Sequence, residues 1–186
     1  MNSYKVNELM VPLSEYATVS EDATLYEAVL ALEKAQEKFE DKHTRYRHRA
    51  ILILDKDNNV VGKLSQLDLL KALEPKYQGM IEGRGPQRFG FTKQFMKSML
   101  REYNLFADPL EEICRKAGEK NVREFMYTPS EGEYVTENAS LGEAIHQLIM
   151  GHHQSLLVTR GDKIVGILRL TDVFAAVFHK MKECFG

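Results

Sequence analysis

The chain has 186 residues, 44% hydrophobic and 28% charged, with 25 basic and 27 acidic side chains giving a formal charge of −2. That is the composition of one globular domain or two small ones, and it excludes a disordered tail, a collagen-like fibre and a disulfide-stapled miniprotein. A near-neutral chain has no general attraction for nucleic acid or a membrane surface, and no apolar run reaches the roughly 18–20 residues of a membrane span. Residues 1–5 lack the apolar stretch that would begin an export signal. Cys114 and Cys184 form no CxxC pair, which predicts reduced thiols and a cytoplasmic protein.

In chain order, the first predicted element is an extended piece at Ala17-Thr18-Val19. A helix follows. Thr24-Leu25-Tyr26-Glu27 is an S/T-x-x-E capping box, and Leu25, Ala28, Val29 and Leu32 recur at helical spacing. Two apolar runs, 51–54 and 60–64, flank Asp55-Lys56-Asp57-Asn58-Asn59 and predict a hairpin. A second helix, 67–73, closes this unit. Residues 76–121 differ in character. Gly79, Gly83, Gly85, Pro86 and Gly90 predict a mobile loop, and 91–103 and 109–117 predict two helices. The first carries an apolar stripe of Phe91, Phe95, Met99 and Leu100, expected to pack on the flanking units or on a second subunit. Then the opening pattern returns. Glu133-Tyr134-Val135 is extended, and Ser140-Leu141-Gly142-Glu143 is a capping box heading the helical set Leu141, Ala144, Ile145 and Leu148. Runs 155–158 and 164–168 surround Arg160-Gly161-Asp162 as a second hairpin, and a helix over 171–181 follows.

Two ungapped blocks make the return quantitative. At an offset of 116, Glu8 meets Glu124, Met10 meets Met126, Val19 meets Val135, Glu27 meets Glu143 and Leu32 meets Leu148. At an offset of 104, residues 51–54 meet 155–158, Val60-Val61-Gly62 meets Ile164-Val165-Gly166, and Asp68 meets Asp172. The difference places 12 extra residues in the first copy, between Ala35 and His48. The predicted fold is therefore α/β (α+β), a β-α-β-β-α unit at 1–75 and again at 122–186, joined by a helical linker at 76–121. One such unit buries too little surface to be comfortable alone, so the two are expected to pack together.

The run Val6-Asn7-Glu8-Leu9-Met10-Val11-Pro12, followed by residues 18–25, resembles the opening of a cystathionine-beta-synthase (CBS) domain. Val61-Gly62-Lys63-Leu64-Ser65-Gln66-Leu67-Asp68 resembles its closing motif, G-h-h-[ST]-x-x-D, and residues 122–126 and 165–172 repeat both marks. The pair resembles a Bateman module. The resemblance implies two units packed about a pseudo-twofold axis with two clefts between them. It also implies adenosine compounds as ligands (AMP, ADP, ATP or S-adenosylmethionine), disc-shaped homodimers, and regulation of a protein partner in place of catalysis.

Within that resemblance, Asp68 and Ser65 are the expected ribose grip of the first cleft. The two oxygens of a carboxylate suit a cis-diol, a charge-assisted bond exceeds a neutral one, and a helix N-terminus favours an anion. Adenine is expected in an apolar slot read by main-chain groups near Tyr16, Ala17, Thr18, Ala50 and Ile51, where the family places its base contacts. The second cleft would use Glu133, Tyr134, His153, Gln154 and Asp172. There Arg169 stands where Ser or Thr is expected. It either reaches a phosphate through its planar fork or pairs with Asp172 and closes the site. A basic residue at the rim favours a phosphorylated nucleoside over S-adenosylmethionine. Ser65-Gln66-Leu67-Asp68 is equally a helix-capping pattern, which fits a constitutive dimeric interaction module with empty clefts. In the basic run 43–49, Arg49 is the expected phosphate contact, against a solvated helix end as the plainer reading. His146, His152 and His153 complete no metal spacing. Residues 79–90 form no P-loop, and no nucleophile elbow is present. No metal, required cofactor, catalytic residue or nucleic-acid partner is therefore expected.

Overall fold

The computed structural model describes residues 4–40, 48–82 and 91–185. Most of the extra stretch of the first copy, the basic run before His48 and the loop glycines Gly83, Gly85 and Gly90 lie outside the described residues. The elements, in chain order, are β1 (Val11–Pro12), β2 (Thr18–Ser20), α1 (Leu25–Glu40), β3 (Ala50–Leu54), β4 (Val60–Ser65), α2 (Gln66–Ala72), α3 (Lys76–Glu82), α4 (Lys93–Glu102), α5 (Leu110–Gly118), β5 (Tyr134–Thr136), α6 (Leu141–Gly151), β6 (Ser155–Arg160), β7 (Lys163–Arg169) and α7 (Leu170–Phe185). This is the expected β-α-β-β-α order, twice.

Local chemistry fixes the ends. Thr24 and Glu27 form a reciprocal box: Glu27 N donates to Thr24 Oγ1 at 3.2 Å and Thr24 N to Glu27 Oε2 at 2.7 Å. At Ser140 the hydroxyl accepts from Glu143 N at 3.2 Å, the forward half of its box. In the first hairpin Asp55 Oδ1 accepts from the amides of Asp57 and Asn59, and Asn58 takes φ 62°. One expectation fails. Gly79 and the glycines beyond it predict a mobile loop, yet Lys76–Glu82 forms α3. Pro75 presets the first turn of that helix. Lys76 Nζ donates to the carbonyls of Tyr103 and Asn104, and Gln78 Nε2 to that of Glu124.

The first sheet runs β2-β3-β4 and the second β1-β7-β6-β5. In each, the first strand of the unit lies parallel to the next and the hairpin is antiparallel. Strand registers correct the sequence alignment by one residue. Thr18 opposes Leu52 and Tyr134 opposes Leu157; Ala50 opposes Ser65 and Ser155 opposes Arg169. β3 therefore superposes on β6 at an offset of 105, while β4 superposes on β7 at 104. Eleven extra residues precede β3 in the first copy, and the twelfth lies in its hairpin turn. His48 thus matches His153, and Ser65 matches Arg169.

The strand β1 does not join its own unit. Val11 pairs with Ile167 and Pro12 with Gly166 of the second unit. In return, Tyr127, the counterpart of Val11, bridges Lys63 of the first unit through two main-chain bonds of 2.9 and 2.8 Å. Burial follows the same exchange. Val6 sits in the core of the second unit with Leu141, Leu156 and Val173. Val122 and Phe125 sit in that of the first with Leu25, Ile51 and Leu64. A third cluster, Val11, Tyr16, Leu52, Leu157 and Ile167, joins the two sheets. The closing-motif glycines are explained here. A Cβ on Gly166 would meet the Val11 carbonyl oxygen at 2.6 Å, and one on Gly62 would meet Met126 Sδ at 2.6 Å.

Candidate functional site

Where the units face each other, a cavity of about 460 Å³ opens between the starts of α2 and α7. That is within the size range of small-molecule sites. β4 and α2 bring Lys63, Ser65, Gln66, Leu67 and Asp68 to it, and the segment before β3 brings Arg49 and Ala50. From the other unit come Tyr127, Glu133, residues 152–155 and residues 169–171.

Ser65 caps α2. Its hydroxyl accepts from Asp68 N at 3.2 Å and donates to Asp68 Oδ2 at 2.6 Å, and its own amide donates to the same oxygen at 3.0 Å. Lys71 Nζ binds Asp68 Oδ1 at 3.0 Å. Burial works against the charged form of Asp68, but these bonds and the lysine charge outweigh it and hold its pKa below the ordinary carboxylate value. The Lys71 side chain is 37% exposed, so exchanging it for another donor costs only about 0–1 kcal/mol.

The second unit is built differently. Arg169 holds Asp172 with both arms of its fork, Nε to Oδ2 at 2.6 Å and Nη2 to Oδ1 at 2.5 Å. Its Nη1 lies 3.3 Å from Nδ1 of the fully buried His48. The Tyr16 ring stands edge-on to that imidazole at 4.4 Å. Burial and the neighbouring guanidinium push His48 down to about 4, and burial pushes the Tyr16 hydroxyl up. Breaking a buried pair such as Arg169–Asp172 by removing one member costs about 3–5 kcal/mol.

A second ion pair crosses between units on the cavity wall. Lys63 Nζ donates to Glu133 Oε2 at 2.9 Å, and Tyr127 OH donates to Glu133 Oε1 at 2.6 Å. Ser130 adds its amide and hydroxyl to Oε1. Burial raises the Glu133 pKa, but the bonds from Tyr127, Lys63 and Ser130 overcome it and bring the group to about 2. Arg49 is exposed, and its guanidinium has no hydrogen-bond or ion-pair partner among the described residues. Among the described residues no three His, Cys, Asp or Glu side chains group as a metal site, and no helix is long and apolar enough to cross a membrane.

The CBS domain family model matches residues 6–75 and 122–179. The chain belongs to the CBS domain family. No curated protein matches it closely enough to count as a relative. Solved structures share the fold of this CBS pair. CBSX2 in complex with AMP is 19% identical with a TM-score of 0.58, over 96% of this chain and 99% of that one. A CBS domain-containing protein of unknown function from Bacillus anthracis is 17% identical with a TM-score of 0.61, over 96% of each chain. A CBS-domain protein from Agrobacterium tumefaciens is 18% identical at 0.55, over 93% and 92%.

Of the residues singled out from the sequence, Tyr16, Arg49, Ala50, Ser65, Asp68, Glu133, His153, Gln154 and Arg169 line the cavity between the CBS units. Ala17 and Ile51 are packed in the core of the first unit. Thr18 lies on β2, and Tyr134 packs against the cluster between the sheets. Asp172 is turned to Arg169. Sequence reasoning missed Lys63, Tyr127 and Ser155. Lys63 sits inside the closing motif, but its partner Glu133 is 70 residues away, and no local pattern joins the two.

Proposed function

We propose that this CBS pair is a regulatory module that binds an adenine nucleotide of the AMP, ADP or ATP class in the groove between its units and signals the occupancy to a protein partner. The supporting observation is the cavity with Asp68 on its wall, held by an exchangeable lysine, beside the Arg49 cation, which has no hydrogen-bond or ion-pair partner among the described residues. The ribose diol takes Asp68 in place of Lys71, and the phosphate takes Arg49 and Lys63, which favours a nucleotide over S-adenosylmethionine. The AMP bound by CBSX2, a similar fold, agrees with this class. Because Lys63 already ties β4 to Glu133 of the other unit, a phosphate on Lys63 competes with that tie and biases how the units sit. Such differential affinity is the requirement for a ligand to act as a signal.

The completed Ser65–Asp68 capping box favours the alternative, a constitutive dimeric module with empty clefts. Isothermal titration with AMP, ADP and ATP separates the two. Heat and a rise in unfolding temperature at or below millimolar nucleotide support the sensor. Neither response at millimolar concentration overturns it.

A further inference from the structure

The strand registers relate the two clefts position by position, and the acid at the start of the closing helix is common to both while its neighbours differ. Asp68 and Asp172 correspond, as do Ser65 and Arg169, His48 and His153, and Tyr16 and Gly132. At Asp172 the two bulky members of those pairs are present together. Arg169 gives two N–H donors to the two carboxylate oxygens, the donor count and spacing a sugar cis-diol would offer. His48 covers the guanidinium and Tyr16 covers His48, each less than a tenth exposed. At Asp68 the corresponding positions are the small ones, Ser65 and Gly132. His153 Nε2 stands 3.8 Å from where a Cβ on Gly132 would lie. Its ring folds back over Gly151, where a Cβ would lie 1.9 Å from Nε2. The cavity has Asp68 and His153 on its wall and is bounded by Tyr16 and Arg169, while Asp172 and His48 behind them do not line it.

We infer that the clefts of this chain are unequal by construction: the Asp172 cleft is filled by the chain's own Tyr16, His48 and Arg169, and only the Asp68 cleft takes a nucleotide, one per chain. Guanidinium replaces the diol, and two aromatic rings replace the base. This rests on the adenine-nucleotide reading above and assigns it to one half of the groove. The filled cleft is a permanent brace between units, because Tyr16 and His48 belong to the first and Arg169 to the second. The ligand-dependent change is confined to the other.

Titration of the native, nucleotide-free chain with AMP decides the point without any variant. The expected result is one equivalent per chain, weakened at least tenfold in Asp68→Asn. Two equivalents on the native chain, or one that Asp68→Asn binds with native affinity, overturns the inequality while leaving the nucleotide reading intact. Absence of binding on the native chain removes that reading and the inference with it. Two variants test the plug. Arg169→Ser gives Asp172 the hydroxyl neighbour that Asp68 has, and a second equivalent is expected. A folded Arg169→Ser chain, checked by circular dichroism, that still binds one equivalent overturns the assignment of the plug to Arg169. Ser65→Arg should reproduce the closed geometry at Asp68 and abolish binding in a chain with native circular dichroism. Binding within twofold of native in that chain overturns the account of closure.

Discussion

At the scale of single residues, the buried Glu133 and His48 on this interface make the pair sensitive to acid. Glu133 has its pKa brought to about 2 from an ordinary 4.5, so its contribution to stability is complete above pH 4.5 and is lost as pH falls toward 2. His48, lowered to about 4 from 6.5, is buried neutral, so its contribution is complete above pH 6.5 and is lost between 6.5 and 4. The unfolding temperature should therefore fall in two limbs on acidification. His48→Gln should flatten the upper limb and leave the lower, as read by calorimetry from pH 8 to 2. The glycines give a second test. Gly166→Ala drives a methyl into a backbone carbonyl, and Gly62→Ala drives one into the mobile end of a methionine. Overpacking costs about 1–3 kcal/mol, and urea unfolding should put Gly166→Ala near the top of that range and Gly62→Ala near the bottom. Ser65 and Asp68 are legible in the sequence because the helix cap they form is a local four-residue pattern. The Lys63–Glu133 pair could not, because its members meet only when the units do.

At the scale of elements, the periodic helices and hairpins were legible because the apolar spacing of α1, α6 and both strand pairs agrees with local capping and turn chemistry. Two features were hidden. A one-residue difference between hairpin turns does not disturb an ungapped match of similar apolar residues, so the true correspondence of His48 with His153 needed hydrogen-bond register. The crossing of the two leaders was hidden as well, since Val6 and Val122 read alike whichever core receives them. That crossing is testable. Val6→Ala should cost about 2 kcal/mol and raise amide exchange chiefly in β5, β6 and β7. Val122→Ala should do the same in β2, β3 and β4. Exchange rising in the mutated residue's own unit instead would contradict the arrangement. Of the predicted stripe, Phe91, Phe95 and Leu100 are exposed among the described residues, at 46%, 38% and 45%, and Met99 is half-buried.

At the scale of the whole molecule, α7 exposes Phe174, Phe178 and Met181, and α2 exposes Leu67 and Leu70. Exposed apolar surface on these two helices is of the kind that association between chains covers. Light scattering should give the mass of a dimer, and Phe174→Glu with Phe178→Glu should shift it to that of one chain without loss of secondary structure. The reciprocal seating of the leaders bears on how such a protein arises and what holds it. A half-length ancestor with one leader and one sheet would lack the valine that plugs its own core. Only by lending that valine to a twin, and borrowing one back, would it be complete. In this chain the loan is internal: the covalent link supplies proximity, the interlocked arms supply the contacts, and each core is closed by a valine from the other unit.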